Sequence, residues 1–173
     1  MPGGRRNRQG DRVAGGKMPA GDEKQQALSY AFKLLGYRQR SEQELTRRLV
    51  MKGFSKTVAE EITQRLRDSG YMDDLLMAGA LRRRAEEGKC LGMGGARQYL
   101  RRMGISRCDT EEALNGYDEP ASAARLAEKK MGLLEGSPPD IARKKLSGYL
   151  RRRGFSYETV RKTIDAFIKE AKQ

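Results

Sequence analysis

One seven-residue frame occurs three times along the chain: LVMKGFS from Leu49, LRRMGIS from Leu100 and LRRRGFS from Leu150. Its constant members are a Leu, a Gly four residues on, a large apolar residue and a Ser, and the copies are offset by 51 and 50 residues. Self-similarity at that period restricts the fold to a tandem array of small units that bury their faces against one another. Each constant member has a backbone reason. Gly53, Gly104 and Gly154 stand where a helix ends at positive φ, which glycine reaches without a Cβ penalty. Phe54, Ile105 and Phe155 fold back onto the helix just ended, and Ser55, Ser106 and Ser156 cap the next one. Leu45, Ala96 and Leu146, four residues before each frame, extend its apolar stripe.

Helical periodicity fills the intervals. Leu28, Ala31, Phe32 and Leu35 share one face of a first helix. The SEQE run from Ser41 is a capping box, with Ser41 accepting an early backbone N–H and Glu44 reaching back. Val58, Ile62 and Leu66 recur at helical spacing, answered by Val160, Ile164 and Phe167 in the last copy and by Thr110, Leu114 and Tyr117 in the middle one. Asp73 or Asp74 caps a helix running to Gly88, Pro120 opens another, and Ser137 caps a third with Pro138 in its first turn. Strand signals are missing: there is no sustained alternation and no Asn-Gly hairpin between apolar runs. The expectation is an all-α chain of nine helices in three tandem three-helix repeats, helix-turn-helix-like and elongated or curved. The repeats span 23–72, 73–118 and 119–173, after a basic tail over 1–22 whose glycines and arginines suggest disorder.

Charge narrows the function. Thirty-six Lys and Arg against 23 Asp and Glu give a net charge of +13, which calls for a polyanionic or acidic partner. The excess is uneven: residues 73–118 hold eight basic and eight acidic groups, residues 119–173 thirteen and seven. Having no His, the chain lacks Ser–His and Cys–His nucleophile systems. Its two cysteines, Cys90 and Cys108, are too few for an ordinary zinc site and are expected to stay reduced in a cytoplasm. The GMGG run at Gly92–Gly95 lacks the Lys-Ser or Lys-Thr and the preceding strand of a phosphate loop. Asp73 and Asp74, side by side at a helix start, suit a cap and dipole partner better than a nuclease's Mg²⁺ site. No apolar run approaches the roughly 18 residues needed to cross a bilayer, and no apolar segment follows the basic N-terminus as it would in a secretory signal. The chain reads as a non-enzymatic cytoplasmic protein with no cofactor, no metal and no membrane partner.

Four stretches carry a family resemblance. YRQRSEQELTRRLVMKGF (Tyr37–Phe54), GYMDD (Gly70–Asp74), KCLGMGGARQYLRRMGI (Lys89–Ile105) and the final YLRRRGFSYETV from Tyr149 together resemble RecX, the bacterial regulator of the RecA recombinase. The likeness runs in order from about Ala27 to Ala171 and departs most at GMGGARQ, where relatives usually carry a more apolar turn. It implies a protein that associates with RecA filaments on single-stranded DNA, lies along the filament groove, and restrains ATP hydrolysis, strand exchange and repressor cleavage. A monomer suffices for that, because contacts add along stacked units.

The contact residues are expected among the arginines, whose planar forks bind phosphate and carboxylate bidentately. Arg38 and Arg40 lie in a loop before a cap; Arg82, Arg83 and Arg97 lie in the middle repeat. Arg101, Arg102, Arg151 and Arg152 fill the variable positions of the repeated frame, whose first copy has Val50, Met51 and Lys52 there, so the turn itself does not require them. Arg152 falls about 200° around the helix from Leu150 and points outward, whereas Arg153 lies beside the stripe. Tyr99 and Tyr149 precede these pairs and suit half-buried packing better than base stacking. The alternative reading is a stand-alone helical DNA-binding protein acting by competition for DNA.

Overall fold

The computed structural model describes residues 20–134 and 136–170, so most of the expected tail (1–19) lies outside the described residues. Among the described residues there are nine helices and no strand. The first unit holds α1 (Ala20–Tyr37), α2 (Glu42–Lys52) and α3 (Lys56–Asp68). The second holds α4 (Asp74–Arg83), α5 (Met93–Arg102) and the short α6 (Arg107–Ala113); the third holds α7 (Glu119–Met131), α8 (Pro139–Arg152) and α9 (Tyr157–Glu170). The first helix begins at Ala20, inside the segment expected to be tail.

The repeated frame closes the second helix of every unit in the same way. Gly53, Gly104 and Gly154 take φ of +109°, +86° and +78°. Each glycine N–H bonds the carbonyl three residues back, and the N–H of Phe54, Ile105 or Phe155 reaches that of Leu49, Leu100 or Leu150. This pair of bonds is a Schellman closure, which turns the chain and satisfies the last carbonyls at once. The serines then cap as expected, accepting from the N–H groups of Val58, Asp109 and Thr159. Three apolar clusters result, one per unit, centred on Leu45 and Leu49, on Ala96 and Leu100, and on Leu146 and Leu150.

Three local expectations need correction. The buried stripe of α1 is Ala27, Ala31 and Leu34, not one through Phe32, which is exposed and meets Tyr71 edge-on with ring centroids 5.1 Å apart. Small alanines let α1 approach its neighbours closely, and the ring is left outside. Glu44 does not reach back to complete a capping box; arginines hold it instead. Ser137 does not cap α8. Pro138 sits at the N-cap with φ −52° and ψ 143°, because a residue preceding proline is driven out of the helical region, and the helix starts at Pro139.

The helical run from Asp74 does reach Gly88, but its last five residues, Arg84–Gly88, form a wider π turn. The turn and the loop after it aim carbonyls at the third unit: Ser122 Oγ donates to those of Glu86 and Leu91, and Lys129 Nζ to that of Glu87. Tyr117 also donates to the Leu91 carbonyl, and burial pushes its phenol up to about 12. Cys90 follows at φ 47° with its side chain packed into the third unit's cluster. At Gly154 a Cβ would lie 2.3 Å from the backbone nitrogen of Gly95, whereas at Gly53 no described atom lies within 4 Å. Gly53→Ala is therefore expected to cost about 1 kcal/mol, the positive-φ penalty alone, and Gly154→Ala at least twice that in urea unfolding, because a rigid backbone contact must also open.

Candidate functional site

The units are joined by two junctions of one design. At the first, the turn of Gly104 seats on the N-terminus of α2: Ser41 Oγ donates to the Met103 carbonyl at 2.8 Å, and a Cβ on Gly104 would meet that hydroxyl at 2.2 Å. Asp74, the residue after the N-cap of α4, accepts the N–H of Glu42 at 3.1 Å. At the second, the turn of Gly154 seats on the N-terminus of α5, where Gly92 N–H donates to the Arg153 carbonyl and Gly94 N–H to that of Gly154. Glu119, the residue after the N-cap of α7, accepts the N–H of Met93 at 2.9 Å. It also takes the N–H and hydroxyl of Ser156 and the hydroxyl of Thr159. The GMGG run thus has a packing role: side chains at Gly92 or Gly95 would strike the backbone of Phe155 or Arg153 at 2.3 or 2.1 Å.

The carboxylates respond to these settings in opposite ways. Burial pushes Asp74 up to about 6, outweighing the Glu42 N–H, and nearby Glu42, Asp109 and Asp73 add to the rise. Burial also opposes ionisation of Glu119, but its hydrogen bonds from Met93, Ser156 and Thr159 hold it below the usual carboxylate range. Glu44 is similar: burial works against its charge, yet hydrogen bonds from Arg48 and Arg38 and the charges of Arg38 and Arg40 keep it low.

The second junction also sets α5 and α8 side by side and opens a groove of about 650 Å³. Gly94, Gly95 and Gly154 lie along it, with Arg97, Arg101, Arg102, Arg151 and Arg152 around them and no acidic residue lining it. Arg101, Arg102, Arg151 and Arg152 are exposed and make no ion pair among the described residues. Arg152 lies over the half-buried Tyr149 at 5.3 Å from the ring centroid, and Lys130 over the same ring at 5.1 Å. Arg101 and Arg102 also line the neighbouring groove of about 1230 Å³ between the first and second units, whose walls mix Arg47, Arg67 and Arg107 with Glu42, Asp74 and Asp109. Five of the nine candidate arginines therefore meet in one place.

The other four do not join them. Arg40 is 8% exposed and donates to the Leu34 carbonyl and to Glu44, so it is not free to reach a ligand as its loop position suggested. Arg38 is exposed but bonds the same Glu44 at 2.7 Å. Arg82 is spent on the carbonyls of Ala113, Asn115 and Gly116, closing the end of α6. Arg83 is exposed in a separate shallow hollow beside Leu75 and Glu112. Within the groove, Arg97 is held bidentately by Glu111 at 2.7 and 2.8 Å, tying α5 to α6. Arg153 belongs to the junction, its guanidinium bonding the Lys89 carbonyl. Among the described residues no group of three potential metal-ligating side chains comes together, and no helix is long and apolar enough to cross a membrane.

Turn-docked three-helix units with an arginine-lined groove at their seam define a protein of tandem helical repeats. Models of the RecX first and third three-helix domains match residues 27–66 and 117–164. Regulatory protein RecX of Prosthecochloris aestuarii is 36% identical over 142 residues, covering 82% of this chain and 93% of that protein. That of Chlorobaculum tepidum is 34% identical over 152 residues, covering 86% and 92%. The crystal structure of RecX from Lactobacillus salivarius shares the fold with a TM-score of 0.73 at 22% identity, covering 84% of this chain and 97% of that one. A second RecX crystal structure gives 0.74 at 26%, covering 84% and 74%. The chain belongs to the RecX family, a family of regulatory proteins.

Asp74 gives the first junction a pH dependence. Its folded pKa lies above the unfolded value of 3.8, so between about 4 and 6 the folded chain binds more protons than the unfolded one and stability falls as pH rises. Asp74→Asn keeps an oxygen for the Glu42 N–H and is expected to flatten that part of a stability-against-pH curve, leaving the decline below pH 4 in place.

Proposed function

We propose that the chain is a non-enzymatic modulator, mainly an inhibitor, of RecA that docks on RecA–single-stranded-DNA filaments in the cytoplasm and restrains their ATPase, strand-exchange and coprotease activities. The observation that carries this reading is the groove between α5 and α8. Four exposed, unpaired arginines on two adjacent units form a patch that an acidic protein face or a phosphodiester backbone would complement. Kinship with proteins named regulatory protein RecX supports RecA as that partner, which charge alone does not identify. Direct contact with single-stranded DNA is compatible with the same groove, and its affinity would fall steeply with salt. A monomer is sufficient, since both junctions close within one chain.

The mechanism is docking. A rigid seam holds the arginines at fixed separation, and each contact that the filament makes with them must break before its protomers cycle. Reversal of Arg101 and Arg102, or of Arg151 and Arg152, to Glu is expected to weaken inhibition of the DNA-dependent RecA ATPase at least tenfold in midpoint concentration, with the helical circular dichroism unchanged. Undiminished inhibition at moderate salt would remove these residues from the contact. If inhibition instead vanishes whenever DNA is in excess, competition for DNA is the mechanism.

A further inference from the structure

The two junctions share a donor–acceptor pattern, and the chain contains a third copy of its accepting half with no described residue in it. The accepting half has two oxygens: the carbonyl before the turn glycine (Met103, Arg153) and a carboxylate at the start of the unit's first helix (Asp74, Glu119). The inserting half is a helix N-terminus with two donors. The N-cap residue gives one, as a hydroxyl in Ser41 or a backbone N–H in Gly92; the first helical residue, Glu42 or Met93, gives its N–H.

In the first unit the same parts recur in register. Glu23 precedes Gly53 by the same interval as Asp74 precedes Gly104, and Lys52 supplies the carbonyl before the glycine. Glu23 Oε1 accepts the N–H of Ser55 at 2.6 Å, as Glu119 accepts that of Ser156 at 3.1 Å. Gly53 has the required left-handed conformation, yet no described atom lies within 4 Å of where its Cβ would be, against 2.2 and 2.3 Å at Gly104 and Gly154. We infer that Glu23, Lys52 and Gly53 form an open docking socket for a helix N-terminus of a partner protein, one with a donor at its N-cap and a free N–H at its first helical residue.

The corresponding helix end in a second copy of this chain does not meet that description. The inserted ends are those of a unit's second helix; α2 and α5 are already engaged, which leaves α8. Its N-cap and first helical residue are Pro138 and Pro139, which have neither a backbone N–H nor a hydroxyl. The prolines remove both donors at the helix end that corresponds to the two inserted ones, and so block head-to-tail addition of copies through it. This inference is independent of the RecA reading, since the socket and the arginine groove lie at different units.

The test supplies the missing donors on the folded chain, because a short isolated helix is marginal in water. Pro138→Ser with Pro139→Glu reproduces the Ser41–Glu42 pair, and Pro138→Gly with Pro139→Met reproduces Gly92–Met93. In sedimentation equilibrium the unaltered chain is expected to stay at the mass of one chain. At least one double variant is expected to show a mass that rises with concentration, and Glu23→Lys added to it should restore the single-chain mass. Single-chain behaviour of both double variants would overturn the inference, as would association that Glu23→Lys leaves intact. Glu23-dependent association of the unaltered chain would overturn the role given to the prolines.

Discussion

The structure depends on one contact: a positive-φ glycine turn seated on the N-terminus of a neighbouring helix. A turn with a side chain would hold the two backbones apart, and a helix end without a donor would leave the turn's carbonyl unmatched. With both conditions met, each junction exchanges hydrogen bonds, and a half-buried carboxylate stands over a helix N-terminus where the helix dipole favours negative charge. Neutral hydrogen bonds contribute about 1 kcal/mol each and those to charged groups somewhat more. Glu119 collects four donors: the Met93 N–H ties the second unit to the third, and Ser156 and Thr159 fix the carboxylate within the third.

The groove follows from that contact. Gly94, Gly95 and Gly154 bring α5 and α8 together, and the variable positions just before each turn glycine then face one another across the seam. The first unit has Val50, Met51 and Lys52 at those positions, so the basic surface belongs to the second and third units. The division of labour within the repeated frame is therefore spatial. Leu, Gly, the apolar residue and Ser build the joint, and the residues between Leu and Gly are displayed by it.

Most of the fold was legible because it rests on local rules. The Leu-to-Ser frame specified helix end, turn and cap in all three units, and periodicity located the buried faces of α2, α3, α8 and α9. What escaped was contact between units. Asp74 and Glu119 look like ordinary first-turn acids, and nothing local says that their acceptors serve a helix in the preceding unit. The GMGG run was the available signal: three glycines opening a helix are locally unfavourable and imply a close backbone neighbour. For the arginines, exposure followed from the outward helical positions of Arg151 and Arg152. The capture of Arg40 by Glu44 did not, because it depends on the loop folding back over α2.

The most direct measurement of the central claim is a titration of RecA, assembled on single-stranded DNA, with this protein, followed through ATP hydrolysis and strand exchange at fixed moderate salt. A saturable fall in both, at concentrations comparable to those of RecA and unaffected by added DNA, is the expected result. Unchanged hydrolysis and exchange at a large excess of the protein would contradict the account.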